Sequence, residues 1–226
     1  MDEEYAPCLC SERIIADHRR LSFVMVENNL DKDFYRGGYI FSAMYRYTAC
    51  SLALEHLFSV YLSSSSGHED HTVDISLYSP TQLYEDLLCE CLQTETFRYM
   101  TSDHDLRVDK IKAIADDEDF QAFAEVCFNQ EAGHKNCGDC FGCWKTMIPL
   151  DFLGKLDLYD RCFDVNKYYS NRRKVFEDLI RFSFLPKSVS ARDTVKQLLA
   201  LAKKTPSSAG REFSEIWHSI NDGPRE

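Results

Sequence analysis

Apolar positions recur along this chain with two different periods, and the changes of period mark out its elements. Residues 21–26, LSFVMV, form a short apolar run with β-branched members, closed by Glu27, Asn28 and Asn29, and read as a buried strand. After Gly37 and Gly38, the apolar positions Ile40, Ala43, Met44 and Tyr47 fall at helical spacing within residues 39–54, which predicts a helix with one packed face. Residues 57–62 read as the next strand, ended by the serine-rich polar turn 63–67. Strand, helix and strand in that order are the unit of a parallel sheet, because parallel strands need a crossover connection. Residues 80–115 are mostly helical in pattern. Val108, Ile111 and Ile114 mark the buried side there; Arg107, Lys110 and Lys112 mark the polar one. Residues 123–128 read as another short strand. Beyond Cys143, the stripe Met147, Leu150 and Leu153 predicts a helix capped by Gly154. Three further helices are expected over 172–184, 191–203 and 211–220, separated by Pro186 and by residues 206–210.

Composition narrows the class. The chain has 226 residues, 44% of them hydrophobic, 13% aromatic and 28% charged, which suits one sizeable globular domain, or one domain with a small appendage. No run of about 18 apolar residues predicts a membrane span. The acidic start, MDEEYAPCLC, resembles neither a secretory signal nor an Arg-rich transit peptide, so a cytoplasmic location is expected. The formal net charge of −11 disfavours nucleic acid as a partner, since phosphate binding needs concentrated positive charge. The basic groups Arg172 to Lys174 and Lys203 with Lys204 read as solvated helix faces.

Ten cysteines without a signal peptide do not form a disulfide framework. Four of them follow the pattern Cys127-x9-Cys137-x2-Cys140-x2-Cys143. A two-residue spacer lets a tight turn aim two thiolates at one tetrahedral ion, and Gly138 and Gly142 give that turn backbone freedom. Zinc fits four thiolates without redox chemistry, so a closed structural site is expected. An iron–sulfur cubane is the competing reading. It wants a further cysteine where Met147 stands, a place that Cys162 would have to fill. A dithiol redox pair accounts for two of the cysteines only. Cys8, Cys10, Cys50, Cys89, Cys91 and Cys162 lie apart and read as small core residues.

The string from Asn136 to Met147, NCGDCFGCWKTM, running on to Leu150, Leu153 and Gly154, resembles the zinc-binding tail of QueC-like proteins. That family comprises 7-cyano-7-deazaguanine synthase and its relatives among the ATP-pyrophosphatase, or adenine nucleotide alpha hydrolase-like, enzymes. Residues 94–98, 107–111 and 57–66 are similar to stretches that precede the cysteines in such relatives. The resemblance implies a partial Rossmann-like parallel sheet in an α/β fold, and ATP-dependent chemistry in which an adenylated oxygen is displaced by ammonia or another nucleophile. Such enzymes hold pyrophosphate in a Ser-Gly-Gly-x-Asp-Ser loop, on backbone N–H groups and a helix N-terminus. That string does not occur here. The nearest, Ser66 to His71 (SGHEDH), keeps Ser, Gly and Asp but follows a later strand.

The resemblance therefore implies the zinc-binding C-terminal part of an ATP-dependent ligase, inactive without a loop-bearing part. That part would be supplied by a longer chain or by a separate subunit. The alternative is a noncatalytic zinc-stabilised interaction module. ATP and Mg are expected only where a complete nucleotide site is supplied. Residues 1–126 are assigned to a partial α/β domain, 127–165 to the four-cysteine zinc-binding element and 166–226 to a helical tail. Ser64, Ser65 and His68 are candidate ligand contacts at a strand's carboxyl end, where open α/β sheets bind. Arg107 and Lys110 are candidates for an anionic substrate. Glu69, Asp70 and His71 add metal-competent groups to a polar loop, and Glu95 is a candidate acid or base. Each of these also has an ordinary reading as a solvated polar group.

Overall fold

The computed structural model describes residues 6–30, 39–64, 89–102, 105–127, 136–186 and 188–222. Contacts divide the chain into two units. One gathers the described residues up to Phe23 and those from Leu106 onward; the other runs from Val24 to Asp105. In the coarse sense the chain is α/β: mostly helical, with a two-stranded parallel sheet and a cysteine cluster.

The smaller unit holds α2 (Tyr39–Leu52), β1 (Val60–Ser63) and β2 (Arg98–Thr101). The two strands pair in parallel, with Val60 opposite Arg98 and Ser63 opposite Thr101. Tyr61 and Tyr99 meet on one face with ring centroids 5.1 Å apart, near the buried Phe97 and Cys89. Val60, Leu62 and Met100 stay exposed. Residues 98–101 thus form a strand inside a region that reads as helical. Pairing with β1 decides this, since strand preference depends on neighbours more than on the residues themselves.

Two other sequence readings change. Residues 21–26 carry no regular structure, and Leu21, Val24 and Met25 are exposed. β-branched content alone does not make a strand without ladder partners. On α2, Tyr47 is exposed, whereas Arg46, Thr48 and Ser51 are buried. Of the named apolar positions, Ile40, Ala43 and Met44 have side chains outside the described residues.

The larger unit contains α1 (Ala6–His18), α3 (Arg107–Ile114), α4 (Glu118–Phe123), α5 (Phe141–Phe152), a 3-10 turn (Leu156–Tyr159), α6 (Val165–Ser183), α7 (Val189–Lys204) and α8 (Ser208–Asn221). Residues 123–128 do not form the expected strand: Phe123 ends α4, which Asp117 caps by accepting from the N–H groups of Asp119 and Phe120, residues 124–127 carry no regular structure, and Phe128 lies outside the described residues. Asp164 caps α6 by accepting from Lys167 N–H, which starts that helix earlier than its apolar stripe does. Ser207 does the same for α8 through Gly210 N–H. Gly154 ends α5 at φ +67°, a conformation that favours glycine, as the sequence predicts.

Helices α6, α7 and α8 pack together and against α5. Their shared core buries Met147, Leu150, Phe176, Leu179, Leu198 and Phe213. Val108 and Ile111 join it from α3, while Ile114 is exposed and Ala115 takes the buried place. No described helix is long and apolar enough to cross a membrane.

Candidate metal centre

Four thiols converge where α4, the turn before α5 and α5 itself meet. Cys127 lies in the irregular stretch after α4, Cys137 opens the turn, Cys140 is the N-cap of α5, and Cys143 sits buried in its first turn. Gly138, between the first two turn ligands, has φ +76°, the left-handed conformation such a turn needs. Gly142 lies in the helix instead. All four Sγ atoms lie within 4.8 Å of one another. Cys127 to Cys140 is 3.9 Å, Cys137 to Cys143 is 3.9 Å and Cys140 to Cys143 is 3.4 Å. A tetrahedron with Zn–S bonds of about 2.3 Å has edges of about 3.8 Å, so the thiols fit one ion. Cysteine at every corner also suits zinc chemically.

Backbone and charge prepare this cluster. Cys137 N–H donates to Cys127 Sγ at 3.4 Å. Burial pushes the Cys143 thiol far above the usual range, against a smaller opposing pull from the Gly138 N–H. Burial also raises Cys137, opposed by the Asp139 N–H. An incoming ion therefore displaces protons from these sulfurs. Lys145 extends over the Phe141 ring, with Nζ 4.7 Å from its centroid. Burial and the neighbouring Arg107 push Lys145 down to about 8, while Cys140 pulls it up. Arg107 Nη2 donates to Thr146 Oγ1 at 3.2 Å, and burial lowers its pKa. Lys145, drawn to Cys140, is thus suited to offset part of the net negative charge of a tetrathiolate around a divalent ion.

Cys162 is not one of the four. Its Sγ donates to the Gln121 carbonyl at 3.2 Å, so it does not replace the cubane cysteine that the chain lacks at Met147. Cys89 is buried, as expected of a lone thiol, but Cys91 is exposed.

Of the candidate substrate residues, Ser64, Arg107 and Lys110 are among the described residues. Ser64 follows β1 and is exposed. Ser65, His68, Glu69, Asp70 and His71 lie outside the described residues. Arg107 and Lys110 belong to α3, and Arg107 is turned toward α5. Glu95 is exposed in a bend. Sequence reasoning does not single out Asn136, Lys145 or Thr146. Their adjacency to the cysteines within the string is the signal that could have found them. No protein-family model, no curated protein and no solved structure matches the chain.

Proposed function

We propose that the chain is the zinc-binding C-terminal part of a QueC-like, ATP-dependent synthase or ligase, and that it has no activity without a part bearing the pyrophosphate loop. One observation carries this reading. The string NCGDCFGCWKTM, the family-like stretch of the sequence, brings its three cysteines together with Cys127 at tetrahedral spacing on the mouth of α5. Zinc, held by Cys127, Cys137, Cys140 and Cys143, would supply structural closure of that mouth. The parallel pairing of β1 and β2 supports the α/β part of the reading. Ser63, Ser64, Thr101 and Ser102 stand at the carboxyl ends of these strands, the end at which open α/β sheets bind ligands. The absence of a Ser-Gly-Gly-x-Asp-Ser string favours, as a second reading, a noncatalytic zinc-stabilised module.

Metal analysis and ATP–pyrophosphate exchange test the proposal together. One zinc per chain and no exchange by the chain alone are expected. Exchange should appear when a loop-bearing QueC-like subunit is added. Iron with acid-labile sulfide overturns the zinc assignment. Robust exchange by the chain alone overturns the requirement for a second part. A zinc-loaded chain that never supports exchange with a loop-bearing subunit leaves the noncatalytic module as the function.

A further inference from the structure

Beyond the four sulfurs, one side chain holds the frame in which they stand. Asn136 immediately precedes Cys137, and its side chain reaches across to the strip that leads into Cys127. Its Oδ1 accepts from Val126 N–H at 2.9 Å, and its Nδ2 donates to the Ala124 carbonyl at 2.8 Å. The same Nδ2 donates to the Cys162 carbonyl at 3.0 Å, and the Asn136 backbone N–H donates to that carbonyl as well, also at 3.0 Å. Val126 is the residue before Cys127, so the residues preceding the first and second ligands are tied directly to each other.

Cys162 anchors this tie to the helical core. Its thiol donates to Gln121 O, and Gln121 Nε2 donates to Ala115 O at 3.1 Å, which also accepts from the buried Tyr159 hydroxyl at 3.0 Å. Only a carboxamide of this length meets the whole demand on the side chain. It presents an acceptor to Val126 and two donor hydrogens for two carbonyls at once. An aspartate keeps the acceptor and loses both donors, and an alanine loses all three bonds.

We infer that Asn136 is a positioning residue for the metal, a clasp that sets the spacing of Cys127 and Cys137 before an ion arrives. The inference rests on the proposed reading of the four cysteines as a zinc site. Outer groups that orient ligands in this way typically change metal affinity about 10- to 100-fold when lost.

The test measures zinc affinity by chelator competition in the full chain, for the wild type, Asn136→Ala, Asn136→Asp and Tyr168→Phe. Tyr168 lies in the core on α6, and its loss reports a general weakening of the fold. Cobalt substitution adds a spectroscopic readout, because tetrahedral thiolate coordination gives intense visible bands. Asn136→Ala and Asn136→Asp should each weaken zinc binding by about 10- to 100-fold and broaden or diminish the cobalt bands, with the far-UV helical signal in excess zinc close to that of the wild type. Tyr168→Phe should lower the unfolding temperature with affinity and spectrum unchanged. Wild-type affinity in both Asn136 variants, or an equal loss in Tyr168→Phe, overturns the clasp while leaving the zinc site standing. A wild type that binds no zinc overturns both.

Discussion

At the scale of single residues, two glycines with left-handed backbone among the described residues separate the roles of the turn before α5 and the turn after it. Gly138 and Gly154 have φ +76° and φ +67°, and a Cβ built on either meets nothing within 4 Å. Alanine at each position therefore strains backbone alone, at a cost of about 1–2 kcal/mol. Gly154→Ala should lower stability by about that amount in urea titration and leave zinc affinity unchanged. Gly138→Ala should combine a similar loss with faster release of zinc to a chelator, because the strain falls between two ligands. Equal zinc release from the two variants would show that the Cys137 turn does not depend on its left-handed residue. The importance of glycine at 138 was legible from the Cys-x2-Cys spacing. The role of Asn136 was not, because its partners Ala124, Val126 and Cys162 are brought to it only by folding.

At the scale of elements, a partly buried polar network joins α5, α6 and α8. Tyr168 hydroxyl donates to Asp151 Oδ2 at 3.0 Å, and Arg172 reaches the same oxygen at 3.7 Å. Arg172 also donates to Glu212 through Nε at 3.1 Å and Nη2 at 2.7 Å. Arg172 is thus no solvated member of a basic face, although Arg173 and Lys174 are exposed. Burial pushes the Asp151 carboxyl above its usual value, and the Tyr168 and Arg172 contacts oppose that shift. Removing the donor from a buried carboxylate costs about 1–3 kcal/mol. Tyr168→Phe should lower the urea midpoint accordingly, with an unchanged slope. A midpoint equal to wild type would mean that Arg172 alone satisfies Asp151. The helices of this network were legible in the sequence because their apolar stripes are long and periodic. Residues 98–101 and 21–26 were not, since short apolar runs become strands only where a ladder partner is present.

For the molecule as a whole, the question is how much of the larger unit depends on the metal. Cys127, Cys137 and Cys140 pack against the same core that buries Phe176, Leu179, Val195, Leu198, Phe213 and Ile216. Those last six belong to α6, α7 and α8, which meet one another directly, so most of their buried surface survives without an ion. Cys127 and residues 136–140 are different, because the sulfurs and the Asn136 clasp tie them to one another. Chelation should therefore lower the unfolding temperature by several degrees while most far-UV helical signal remains. Complete loss of that signal would place the metal at the foundation of the whole unit.

The same linkage sets the response to acid. Burial holds the metal-free Cys137 and Cys143 thiols above the usual range, so binding an ion requires proton release. Falling pH then favours the protonated, metal-free state, and rising pH favours the loaded one. Zinc affinity measured across about pH 5 to 8 should climb steadily, and the chelation-dependent drop in unfolding temperature should shrink toward the acidic end (about one proton displaced per sulfur). An affinity flat across that range would mean that the thiols are already ionised before the metal binds, and that Lys145, the cation drawn to Cys140, outweighs the burial that raises them.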